Sequence, residues 1–209
     1  MKSSSFNIAI VPSKIVVKQA MKLSRALKPD GGLFVLNQRL YSVHVTLYMM
    51  ELPLRNLPGV KRILRMIAAS QRRFKLEPLI WNQDSGGYID VSYEKTKTLS
   101  KLQETVIKEL NPLREGLLRQ KDIERMNIAP RSEKRNIQKY GFRSVGAQFE
   151  PHLTISRLRT YKPTATPRVD TGKMSFTAHK IGIFYLGEHG TCKKLVARFR
   201  LGTAPKRRK

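Results

Sequence analysis

The sequence predicts an α+β fold with two similar lobes, and three observations carry that prediction. Segments with strand and helix character follow one another as strand, helix, strands, helix, strands, helix, strands. Turn signals between neighbouring strand segments imply antiparallel hairpins, and no Gly-rich phosphate loop or dinucleotide fingerprint occurs. One short string also recurs. His44-Val45-Thr46 lies in the run YSVHVTLYM and His152-Leu153-Thr154 in EPHLTISRL, each a histidine and a threonine two apart in an apolar stretch.

Taken in order, Phe6 to Val11 reads as the first strand, ended by Pro12. Ser13 is an N-cap for a helix through Lys28, with Ile15, Val16, Met21, Leu23 and Leu27 as its apolar residues, and Pro29-Asp30-Gly31-Gly32 stops it. Leu33 to Leu36 and Tyr41 to Leu52 read as strands. After Pro58-Gly59 comes a basic helix from Val60 to Arg73, with Ile63, Leu64 and Ile67 facing inward. Leu76 to Trp81 and Tyr88 to Tyr93 form strands around the turn Asn82 to Gly87. A helix from Thr98 to Leu110 resumes after Pro112 as far as Arg119. Lys121 to Gly146 is a basic insertion with few aliphatics, read as a loop with short helical turns or a flap. Phe149 to Leu158 is the second motif strand, Tyr161 to Gly172 a loop, and Met174 to Leu186 with Cys192 to Leu201 a terminal hairpin around Gly187-Glu188-His189-Gly190. The reading expects one bilobal domain over residues 1–203 and a disordered basic tail over 204–209.

Composition narrows the function classes. The 209 residues are enough for a buried core, and 40% hydrophobic with 8% aromatic content fits a folded chain. A single cysteine, Cys192, rules out an intrachain disulfide and a thiolate zinc site. No apolar run reaches membrane-span length, and the N-terminus lacks a signal-peptide core, so the expectation is a cytoplasmic protein with no membrane partner. The Lys-Arg cluster of the tail offers a nuclear address as a second compartment. Lys plus Arg number 41 against 15 Asp plus Glu, a formal charge of +26. Such a surface draws polyanions, nucleic acid first among them, because phosphate neutralisation releases counterions. Cationic density assigns the insertion's Arg131, Lys134 and Arg135 to RNA-backbone contact.

Strand side chains alternate between faces, so His44 shares a face with Thr46, and His152 shares one with Thr154 and Ser156. Strict alternation puts Arg157 on the opposite face unless the strand bends there. Two imidazoles across one phosphodiester divide the chemistry. One takes a proton from the attacking hydroxyl or water, and the other returns one to the departing alkoxide. The hydroxyls hydrogen-bond phosphoryl oxygens, and a guanidinium offsets the charge that develops on them. A zinc site built on the two histidines needs a third ligand, for which Glu150 is the nearby carboxylate. His179 and His189 read as incidental.

The two strings, Pro151-His152-Leu153-Thr154-Ile155-Ser156-Arg157 and His44-Val45-Thr46-Leu47-Tyr48, resemble those of the 2H phosphoesterase superfamily, which includes 2′-5′ RNA ligase-like proteins and cyclic phosphodiesterases. The resemblance implies a bilobal fold, an antiparallel sheet flanked by helices in each pseudo-symmetric lobe, and a central groove. It makes His44 and His152 the acid–base pair and Thr46 and Thr154 the phosphate ligands, with Arg157 and Tyr48 on the substrate side. The activity it implies is a metal-independent, cofactor-free phosphoesterase acting as a monomer on RNA or nucleotide 2′,3′-cyclic phosphates or 2′-5′ linkages, reversible toward ligation. A non-catalytic RNA- or nucleotide-binding module on the same scaffold is the alternative.

Overall fold

The structure is a computed structural model that describes residues 2–160 and 170–202. Strand β1 (Ser3–Ile10) leads into helix α1 (Lys14–Ala26). The Ser13 hydroxyl accepts from the Val16 amide at 3.3 Å, and Val16, Ala20 and Leu23 form the buried stripe, whereas Ile15 faces solvent. The chain continues through β2 (Val45–Pro53), α2 (Leu57–Ser70), β3 (Phe74–Leu76), β4 (Pro78–Gln83), β5 (Tyr88–Tyr93) and α3 (Lys97–Leu110). Helices α4 (Gln120–Met126) and α5 (Arg131–Tyr140) follow, then β6 (His152–Arg157), β7 (Phe176–Ala178), β8 (Lys180–Leu186) and β9 (Cys192–Arg200).

All the strand pairs are antiparallel. One lobe holds the sheet β2-β1-β8-β9, packed against α2 and α3, and the other the sheet β4-β5-β6, with α1 against β6. A short ribbon, β3-β7, stands beside them. One hydrophobic core runs through both lobes: Phe6, Ile8, Leu47 and Leu64 from the first and Ile89, Val91, Leu153 and Ile155 from the second are fully buried. The motif strands β2 and β6 touch, which brings the two His-x-Thr strings to one interface between the sheets.

Three sequence expectations change. Leu33–Leu36 is not a strand. It runs along the free edge of β6, where the Leu33 amide donates to the Arg157 carbonyl at 2.8 Å, but side-chain hydroxyls replace the ladder beyond that point. Ser24 Oγ accepts from the Leu36 amide at 2.9 Å, and Ser156 Oγ donates to the Phe34 carbonyl. The helix does not resume as far as Arg119, because after a 3-10 turn over Asn111–Arg114 both Glu115 and Gly116 adopt positive φ. The third change is in the terminal hairpin, whose first arm is two strands, β7 and β8, interrupted at His179. The insertion folds into α4 and α5. The expected loop from Tyr161 lies outside the described residues up to 169, as does the tail.

The feature that most shapes the site is a pair of matching β-bulges. Between β1 and β2 the register passes from Ala9↔Thr46 to Ile8↔Tyr48, leaving Leu47 as an extra residue. Between β5 and β6 it passes from Asp90↔Thr154 to Ile89↔Ser156, leaving Ile155 extra. In each half the extra residue directly follows the motif threonine. A bulge of this kind puts two neighbours on one face and shifts the alternation beyond them. Leu47 and Tyr48 are accordingly both fully buried, as are Ile155 and Ser156. The carbonyl that the first bulge frees is not left unpaired: Gln103, a buried side chain of α3, donates to the Leu47 oxygen at 3.1 Å.

Candidate active site

The two halves repeat each other in side-chain detail. His44 Nδ1 lies 2.7 Å from the Ser42 carbonyl, and His152 Nδ1 lies 2.8 Å from the Glu150 carbonyl, each two residues upstream. A carbonyl oxygen only accepts, so both bonds place the proton on Nδ1 and turn Nε2 toward the groove. Beside each threonine stands one polar residue from the neighbouring strand. Asn7 of β1 donates from Nδ2 to Thr46 Oγ1 at 3.0 Å, and Asp90 of β5 shares a hydrogen bond with Thr154. Each keeps one buried oxygen, Oδ1, with no hydrogen bond among the described residues. With Asn7 as donor, the Thr46 hydroxyl retains its own proton for a ligand.

The surroundings differ electrically. Burial pushes His44 down to about 4, a shift partly countered by the Ser42 carbonyl, deepened by charge on His152 and again countered by the Gly190 backbone. His44 is therefore neutral at physiological pH. His152 is exposed. Burial holds the Asp90 carboxyl above the usual carboxylate range, against the pull of His152 and of the Thr154 bond. The charge of His152 thus reaches both His44 and Asp90, and His44 and Thr154 line one cleft with Phe34, Leu36, Ser42, His189, Gly190 and Thr191.

The second bulge supplies the bend that Arg157 required. Its Nε donates to the Gly86 carbonyl at 3.0 Å, its Nη1 lies 2.8 Å from His189 Nδ1, and its guanidinium sits 4.8 Å above the Tyr88 ring. His189, which the sequence leaves as incidental, lines the cleft and holds Arg157. It adopts φ 57° in the β8–β9 turn, where a non-glycine residue is uncommon. Burial first, then the charges of Arg157 and Lys121, lower its proton affinity. Its flanking glycines are the one sequence signal of an unusual turn.

Tyr48 is not on the substrate side. The first bulge turns it into the core, where its hydroxyl donates to the Tyr140 carbonyl at 2.7 Å. Ser156 leaves the His152 face for the same reason. Arg131, Lys134 and Arg135 sit in the first half of α5, and no ion pair or side-chain hydrogen bond among the described residues links them to either motif. Other cations of the insertion reach the site: the charge of Lys121 acts on His189, and that of Arg143 on Tyr88. Asp90, opposite Thr154 on the adjacent strand, is a further residue that motif reading misses. Among the described residues no three His, Cys, Asp or Glu side chains converge as metal ligands, and no helix is long and apolar enough to cross a membrane.

Two antiparallel lobes that each bring a His-x-Thr strand to a shared cleft define a fold class, and comparison with solved structures finds the same fold in LigT. E. coli LigT complexed with phosphate superposes at TM-score 0.58 and 15% identity, over 96% of this chain and 99% of that one. LigT complexed with 3'-AMP gives 0.60 over the same shares at 15% identity. TT0787 of Thermus thermophilus gives 0.61 at 15% identity, over 97% and 100%. The family described as "Protein of unknown function (DUF1045)" matches residues 54–177, and the chain belongs to it. No curated protein matches the chain.

Proposed function

We propose that the chain is a phosphoesterase of the 2H type, acting without a metal on 2′,3′-cyclic phosphates of nucleotides or RNA ends. The observation that carries this reading is the twinned histidine geometry, with both Nδ1 atoms tied to the backbone carbonyl two residues upstream. His44, neutral and half-buried, is the base: its Nε2 takes a proton from water as the water oxygen bonds to phosphorus. His152 is the acid. It is exposed, the Asp90 carboxylate offers a counter-charge to its proton, and its Nε2 delivers that proton to the ribose oxygen as the P–O bond breaks. The ring opens to a phosphate monoester, and the two histidines exchange roles if the step runs toward ligation. The Thr46 hydroxyl donates to a phosphoryl oxygen, and Arg157 offsets the equatorial charge. That E. coli LigT is complexed with phosphate and with 3'-AMP supports a groove of nucleotide dimensions.

The test is turnover of a mononucleotide 2′,3′-cyclic phosphate, and of an oligonucleotide ending in one, in excess EDTA. His44→Ala and His152→Ala should each lower kcat by about 10²–10⁴-fold. Asp90→Asn should cost about tenfold by removing the counter-charge beside the acid. Turnover that survives in both alanine variants, or that requires an added divalent cation, overturns the mechanism.

A further inference from the structure

A second basic concavity lies outside the cleft and shares no lining residue with it. It measures about 360 Å³ and is formed by the turn from β1 to α1 (Val11, Pro12, Ser13), the end of α2 and the outer strands. Lys14, Arg73, Lys180 and Arg200 line it together with His179, and no Asp or Glu does. None of Lys14, Arg73 and Lys180 takes part in an ion pair among the described residues. The cations crowd one another: the Lys180 ammonium is held below the ordinary amine range, by desolvation and then by the charges of Arg198, Arg200 and Lys14. The like charges of Lys14, Arg73 and Lys180 gathered in one concavity cost folding energy, which a bound anion would return.

The patch is also linear. Strand β9 is an edge strand of the first sheet, and its Lys193, Lys194, Arg198 and Arg200 are all exposed. At ~3.3 Å per residue, these cations are spread along roughly 23 Å of strand, from the hairpin turn to the concavity. A single small anion would use only the concavity, whereas an extended polyanion uses the whole row.

We infer that the concavity of Lys14, Arg73, Lys180 and Arg200, continued along β9, is a second binding site that takes successive phosphates of a single-stranded polynucleotide. The inference rests on the phosphoesterase reading only for the identity of that strand as RNA. The site gives the protein a hold on the body of the strand that does not depend on its reacting end.

The experiment is fluorescence anisotropy of a labelled 12-nucleotide RNA with no cyclic phosphate, titrated over a salt series. The variant Arg73→Gln/Lys180→Gln/Arg200→Gln is compared with Lys97→Gln/Lys101→Gln/Lys108→Gln, which removes the same charge from α3. At ~0.7 per phosphate contact, the first triple should flatten the slope of log Kd against log salt by about 2 and weaken binding at least ~10-fold at 0.1 M salt. The α3 triple should stay near wild type. The first triple should melt no lower than wild type, because it removes mutual repulsion. Equal loss in both triples, or an unchanged slope in the first, overturns the inference. So does tripolyphosphate that protects the wild type and that RNA fails to displace, which would make the ligand a free polyphosphate. His44→Ala separates this site from the chemistry, since it should abolish turnover and leave the salt slope intact.

Discussion

Protonating His44 should cost the fold measurable stability, and the structure sets the size. Its proton affinity falls from an ordinary value near 6.5 to about 4, with burial as the leading cause. The unfolded chain therefore binds the proton more tightly than the native one. The contribution is complete above pH 6.5 and is lost as pH falls toward 4. At pH 4.5 linkage gives a loss of about 2.5 kcal/mol relative to pH 7.5, from the ~1.4 kcal/mol per unit that a shifted group contributes. The assay is urea unfolding at both pH values for wild type and His44→Gln, which removes the titrating group and keeps a polar side chain. Other acid-sensitive groups, His189 among them, act on both proteins and cancel in the difference. Wild type should lose about 2.5 kcal/mol more than the variant between the two pH values. Parallel losses would refute the placement of a neutral, desolvated imidazole at this position. The same neutral state predicts turnover in which the base remains competent well below pH 6.

Other perturbations follow from the same geometry. Arg157→Lys keeps the charge but loses the fork that spans Gly86 and His189 and the stacking on Tyr88, so kcat/KM should fall by about 10–100-fold; an unchanged value would remove Arg157 from the site. Gly87 has φ +81° and an added Cβ would lie 2.5 Å from the Leu158 carbonyl oxygen, so Gly87→Ala should destabilise by at least ~2 kcal/mol in urea melts. A change below ~0.5 kcal/mol would contradict that packing. His189→Gly suits the positive φ and should leave stability within ~1 kcal/mol of wild type while KM rises. A large loss of stability with KM unchanged would make His189 a structural residue instead.

Much of the frame was legible because its signals are local. Ser13 caps α1 as its position suggests, and the glycines around His189 mark the hairpin turn. The two motif strands were visible as apolar runs carrying the same polar pair. Alternation misassigned Ser156 and Arg157, the resemblance misassigned Tyr48, and one cause explains all three. A bulge changes the parity of a strand without changing its composition, so hydrophobic patterning does not reveal it. Asp90 and Asn7 were missed because they lie on strands adjacent to the motifs, where only the register brings them beside the threonines. The expected RNA contacts on α5 rested on charge density, which says how many cations a segment carries but not which of them turn toward the groove.

The extra residues Leu47 and Ile155 make the length of each motif strand as consequential as its composition. Deleting either one would leave a regular pleat with the downstream pairs kept, Tyr48 opposite Ile8 and Arg157 opposite Tyr88. It would remove a fully buried aliphatic side chain and the local twist that the bulge gives the strand beside the threonine. Loops of this architecture can lengthen or shorten freely, but these two strands tolerate replacement of a residue far better than its removal.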